Sequence, residues 1–87
     1  MEEKTLMYLY KFSMDALLES CFNLRSKTFQ KNYNFGTGFC AGRFESYSDI
    51  LRASVGSTKF HEIEAKTVAE MCEKYEVSIS EICHILF

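Results

Sequence analysis

Residues 5–31 read TLMYLYKFSMDALLESCFNLRSKTFQK. Met7, Tyr10, Met14, Leu17, Cys21 and Leu24 recur at intervals of three and four, and Leu6, Leu9, Leu18 and Phe22 widen the stripe. That period gathers apolar side chains on one face of an α-helix. The reading is one amphipathic helix from Thr5 to about Lys31, about 25 residues and about 38 Å long at 1.5 Å per residue. So broad an apolar face needs two shorter helices packed along it, or a second copy of the chain.

Outward from that stretch the pattern stays helical. Proline is absent, so nothing forbids long helices. Asn32 to Gly38 is rich in Asn and Gly and reads as a breaker. A second helix is expected from about Ala41 to Val55, with Phe44, Tyr47, Ser48, Leu51 and Val55 on one face. Arg43, Glu45, Ser46, Asp49 and Arg52 take the other. Gly56-Ser57-Thr58 punctuates the chain before a third helix from about Lys59 to Tyr75, with Phe60, Ile63, Thr67, Met71 and Tyr75 inward and Val68 and Cys72 flanking. Its Glu62, Glu70 and Glu73 make a solvated face. Ser78 and Glu81 then have the S-x-x-E spacing of a capping box, with Val77 and Ile82 at the positions of a hydrophobic staple. A short helix from Ile79 to Phe87 follows. The expected fold is all-α: one domain over residues 1–87, a small bundle of three main helices plus a short C-terminal one.

Charge is unevenly placed. Between Ser20 and Phe44 there are Arg25, Lys27, Lys31 and Arg43 but no Asp or Glu, and the stretch also holds Phe22, Phe29, Tyr33, Phe35, Phe39 and Phe44. From Phe60 onward the balance reverses, with Glu62, Glu64, Glu70, Glu73, Glu76 and Glu81 against Lys66 and Lys74. A hydrophobic fraction of 47% excludes disorder by composition, and a net charge of −2 argues against nucleic-acid binding by the whole surface. No apolar run reaches the ~18 residues of a membrane span, and Met1-Glu2-Glu3-Lys4 lacks the basic start of a secretory signal. A cytoplasmic location is expected, with Cys21, Cys40, Cys72 and Cys83 as reduced thiols packed as small hydrophobes. Their spacing matches no zinc pattern.

Gly36-x-Gly38-x-x-x-Gly42-Arg43 has neither dinucleotide-binding nor P-loop spacing. Amides at the start of the second helix, beside Arg43, could instead hold a phosphate or carboxylate. Tyr33 and Phe35 beside Lys27 and Lys31 could stack on single-stranded bases, and the same residue types anchor protein interfaces. His61 and His84 have no motif partner that would make a nucleophile pair, and zinc held by Cys72, Cys83, His84 and a Glu is a weaker option. No cofactor and no enzymatic activity are expected.

Residues 66–86 resemble a helix-turn-helix unit. Cys72 stands at the small-residue position, Val77-Ser78 after the turn, and Ile82 and Ile85 at the apolar positions of the second helix. Glu76 departs from the pattern, taking the place of the turn glycine, and the would-be recognition helix offers Ser80, Glu81 and His84 without a cation. Gly38 to Leu51, with Gly42-Arg43, Glu45, Tyr47, Ile50 and Leu51, resembles a helix start of small helical proteins of phages and mobile elements in Gram-positive bacteria. That resemblance implies a binding protein that blocks a host enzyme, including anti-defence inhibitors. The expected function is a non-enzymatic protein-interaction module, a homodimer through the first helix. Its partner-binding residues would be Lys27, Lys31, Tyr33, Phe35 and Arg43. The alternative is a nucleic-acid binder using residues 25–43 or the helix-turn-helix-like end.

Overall fold

The first helix, α1, spans Glu3–Cys21 in the computed structural model, which describes residues 2–30 and 34–87. Leu6, Tyr10, Ser13, Met14, Leu17, Leu18 and Cys21 are its buried residues, the stripe expected from the period. Met7, at the edge of that stripe, stays partly exposed. The helix ends ten residues earlier than the expected Lys31 because the chain finds other partners for its backbone. Asn23 Oδ1 accepts hydrogen bonds from the amides of Arg25 (2.9 Å) and Ser26 (3.3 Å), closing a local turn that competes with helix. Phe22–Asn23 and Thr28–Phe29 then pair as antiparallel strands β1 and β2, with Phe22 opposite Phe29 and Asn23 opposite Thr28. Both rings pack on Tyr75 from the third helix, Phe22 tilted and Phe29 edge-on, at centroid distances of 5.1 and 5.5 Å. Leu24, expected inside, projects from the hairpin turn and is 84% exposed.

Helix α2 covers Phe35–Val55 and starts six residues before the expected Ala41. Asn34 is its N-cap, with Oδ1 accepting from the Thr37 amide at 2.8 Å. A capped terminus outweighs the poor propensity of Gly36 and Gly38, so residues 34–38 begin a helix where a breaker was expected; Asn32 and Tyr33 lie outside the described residues. Phe44, Ser48 and Leu51 are buried and Tyr47 and Val55 half-buried, as the pattern required. Gly56 (φ 87°) makes the corner to α3, Ser57–Tyr75, a backbone angle that side-chain-bearing residues rarely adopt.

In α3 the buried residues are Phe60, Thr67, Val68 and Met71. Ser78 caps α4 (Ile79–Leu86), its Oγ accepting from the Glu81 amide at 3.4 Å, while fully buried Ile82 packs in the core with half-buried Val77 against it.

Among the described residues the architecture is an all-α bundle of four helices with a very short hairpin between α1 and α2. α1 is the central element: α2 packs along it most extensively, and α3 and α4 also rest on it. Tyr10 lies at the middle of the core, edge-on to Phe60 (5.6 Å) and tilted against Phe44 (5.7 Å). At the surface Glu3 pairs with Lys59, Asp15 with Lys74 (2.5 Å) and Lys11 with Glu70 (2.5 Å), all linking α1 to α3. The apolar stripe of α1 is thus covered within one chain.

Candidate interaction surface

On the side of α1 away from its stripe, Tyr8 and Phe12 are one helical turn apart and stack, with ring centroids 6.1 Å apart and planes 23° off parallel. Across the α1–α2 seam, Phe35, Phe39 and Arg43 repeat at the same four-residue interval along α2. The half-buried Arg43 guanidinium joins the two rows, 5.9 Å from the Phe12 ring centroid and 5.7 Å from that of Phe39. Tyr8 is 65% exposed, Phe12 48%, Phe35 90% and Phe39 57%. Four large rings open to solvent on two neighbouring helices form an apolar face of the kind that marks a binding surface. Each cation–π contact at such an exposed site contributes roughly 0.5–1 kcal/mol. The guanidinium therefore holds the Phe12 and Phe39 rings in place while keeping donors available at the seam.

Beside this cluster Gly38, Phe39, Gly42, Arg43, Ser46 and Tyr47 line a shallow depression. A Cβ placed on Gly38 or Gly42 would meet nothing within 4 Å, so neither glycine is demanded by packing inside the chain. Of the two phenylalanines flanking these glycines, Phe44 is buried and Phe39 is exposed.

Of the residues expected to bind a partner, Phe35 and Arg43 belong to this face. Lys31 and Tyr33 lie outside the described residues. Lys27 lies apart, exposed at the hairpin turn with φ 53° and near Arg25 and Leu24. Tyr8 and Phe12 were missed because they belong to a helix whose other face accounted for the apolar count. Their signal was present: an aromatic pair at i and i+4 that falls off the 7, 10, 14, 17 stripe.

The expected anion site does not form as drawn. α2 begins at Phe35, so Arg43 stands two turns into the helix, about 12 Å from its first residue at 1.5 Å per residue. One of the terminal amides is already taken by Asn34. Gly36 to Arg43 is helix rather than a phosphate-cradling loop.

At the other end, Glu76 joins α3 to α4 in the left-handed conformation (φ 55°, ψ 47°) that glycine takes cheaply. Ser80, Glu81 and His84 are exposed on α4. All four cysteines are free thiols; Cys21 is buried and the others half-buried. Burial, with the neighbouring Cys83, raises the Cys72 thiol above its ordinary range. Among the described residues no group of three or more His, Cys, Asp and Glu is placed to hold a metal ion, so Cys72, Cys83 and His84 do not assemble the zinc site considered above. No helix of the described residues is long and apolar enough to cross a membrane. No protein-family model matches the chain, and no curated protein or solved structure matches it significantly.

Proposed function

We propose that the protein is a non-enzymatic interaction module that docks a protein partner through the face made by Tyr8, Phe12, Phe35, Phe39 and Arg43. The observation that carries this reading is the exposure of four aromatic rings on adjacent helices around one guanidinium. Tyr, Phe and Arg are enriched at the energetic centres of interfaces, and burying an exposed aromatic side chain contributes roughly 1.5–3 kcal/mol. The open Gly38 and Gly42 next to Phe39 support close approach by a partner helix. Self-association belongs to the same reading, with a second copy seated on this face instead of on the stripe of α1. A role as inhibitor or regulator of a host enzyme in the cytoplasm rests on the resemblance of residues 38–51 alone.

The test is a photo-crosslinking amino acid at position 39, compared with one at position 62 on the acidic side of α3, in cells making the protein. One discrete adduct from position 39, lost when Arg43→Glu is added, is the expected result. An adduct of twice the chain's mass identifies the partner as a second copy. Equal crosslinking from both positions would sink the proposal.

A second reading has a specific observation behind it: Arg25, Lys27 and Leu24 are exposed together on the hairpin turn. Cations beside exposed apolar surface suit single-stranded nucleic acid. The α4 end suits duplex DNA poorly, since Glu73, Glu76 and Glu81 around it would repel phosphates. Anisotropy with labelled single-stranded RNA and DNA at about 50 and 200 mM salt separates the readings, because phosphate contacts weaken steeply with salt. Flat titrations at both salts eliminate the nucleic-acid reading.

A further inference from the structure

The opposite flank of α2 carries a separate groove. About 410 Å³ of open space lies between α2 and α4, which packs on α3 and α1 rather than on α2. Phe44, Phe60, Ile85 and Leu86 supply apolar floor. Glu45, Asp49 and Arg52 from α2 and Glu64 from α3 supply the charged walls, so three carboxylates face one guanidinium. Arg52 lies 4.6 Å over the Phe60 ring and 3.7 Å from Asp49, and Glu64 has His61 Nδ1 at 3.6 Å. The groove already holds one guanidinium on an aromatic ring beside a carboxylate, and its remaining charge is negative.

A second observation comes from beneath the floor. Tyr10 is fully buried, its ring against both Phe44 and Phe60, and its hydroxyl has no hydrogen-bond partner among the described residues. The charges acting on that hydroxyl are Glu64 and Arg52, two walls of the groove. A buried hydroxyl left unpaired is destabilising, and native proteins leave few of them. The Tyr10 ring underlies the groove by packing on two floor residues, Phe44 and Phe60.

We propose that this groove is a second docking site, independent of the aromatic face, which takes a Lys or Arg side chain presented by an amphipathic segment of a protein partner. The aliphatic stem would lie on Phe44 and Leu86, and the charged head between Glu45 and Glu64. Aromatic ring faces attract such cations, and the wall charge selects them over acidic side chains. The volume falls within the range of small binding pockets, enough for one long side chain and part of an apolar neighbour.

The probe is a fluorescein-labelled amphipathic helical peptide of Leu and Lys, about 14 residues long, followed by anisotropy at about 150 mM salt to screen distant charges. Glu45→Gln/Glu64→Gln should weaken binding at least about tenfold, or about 1.4 kcal/mol. Glu62→Gln/Glu73→Gln, which removes the same charge from α3 outside the groove, should stay within about twofold. Ala41→Trp, a substitution at an exposed lining position, fills the groove with its charges intact and should weaken binding as much as the groove pair. Circular dichroism confirms that each variant keeps its helices. Equal losses from the two glutamate pairs would reduce the effect to net charge and overturn the site. Undiminished binding by Ala41→Trp, or none by the unaltered protein, would overturn it as well.

Discussion

Glu76 holds a left-handed backbone (φ 55°) at the end of α3, where its amide and that of Val77 both donate to the Cys72 carbonyl. For a residue with a Cβ that conformation costs roughly 1–2 kcal/mol, part of which glycine recovers. Glu76→Gly should therefore raise stability by about 0.5–1 kcal/mol, read from urea unfolding. Tyr10 gives the complementary case. Its ring is central to the core, but its hydroxyl is unpaired, so Tyr10→Phe keeps the packing and removes the orphan. The variant should be as stable as the parent or up to about 1 kcal/mol more stable, whereas an ordinary core truncation costs several times that. A loss of 2 kcal/mol or more (roughly, by urea unfolding) would mean that the hydroxyl has a partner after all.

At the scale of elements, α2 presents two glycines in its interior that its own chain does not require. Gly38 and Gly42 have room for a Cβ and neither has a positive φ. Replacing either with Ala should stabilise the helix by about 0.5–1 kcal/mol, measured by thermal or urea unfolding. The same substitutions should reduce crosslinking from position 39, because the added methyl groups keep a partner helix at a distance. Stability gained with crosslinking unchanged would separate the glycines from the docking face. α1 and the hairpin make a second point. The periodicity of residues 5–24 did not stop at Cys21, since Leu24 fits the stripe as well as Leu17 does. What ended the helix was the Asn23 side chain and the Phe22–Phe29–Tyr75 cluster. Tyr75 is distant in sequence, and no local rule could have supplied it.

For the molecule as a whole, two tyrosines couple folding to pH. Burial is the main cause that holds Tyr10 and Tyr75 protonated well above the usual tyrosine range, aided at Tyr10 by Glu64 and at Tyr75 by its hydrogen bond to Asp15. An unfolded tyrosine loses its proton near pH 10, so below that value the folded and unfolded chains bind the same protons at these sites. Above it the unfolded chain alone ionises, and stability falls as pH rises toward the folded-state values, by up to about 1.4 kcal/mol per pH unit per tyrosine. Urea midpoints at about pH 8 and about pH 10.5 should drop accordingly, and Tyr10→Phe should flatten the fall. The proposed docking face behaves differently. Phe12→Ser/Phe39→Ser alters exposed residues and should change stability by about 0.5 kcal/mol or less per site while abolishing the position-specific adduct, with the photo-crosslinker moved to position 35. A large loss of stability would place those rings in the core.

The sequence by itself determined the helical class, most of the inward stripes of α1, α2 and α3, and the Ser78 cap, because a 3.6-residue period and local capping are properties of neighbouring residues. Phe35 and Arg43 also stand in its acid-free aromatic run. Tertiary structure decided where α1 ends, because the hairpin that follows it is anchored by Tyr75. It alone brought Tyr8 and Phe12 beside Phe39 and Arg43, and set the Tyr10 ring against Phe44 and Phe60. Those juxtapositions join residues that lie far apart along the chain, and only the packing of helix on helix fixes which of them face one another.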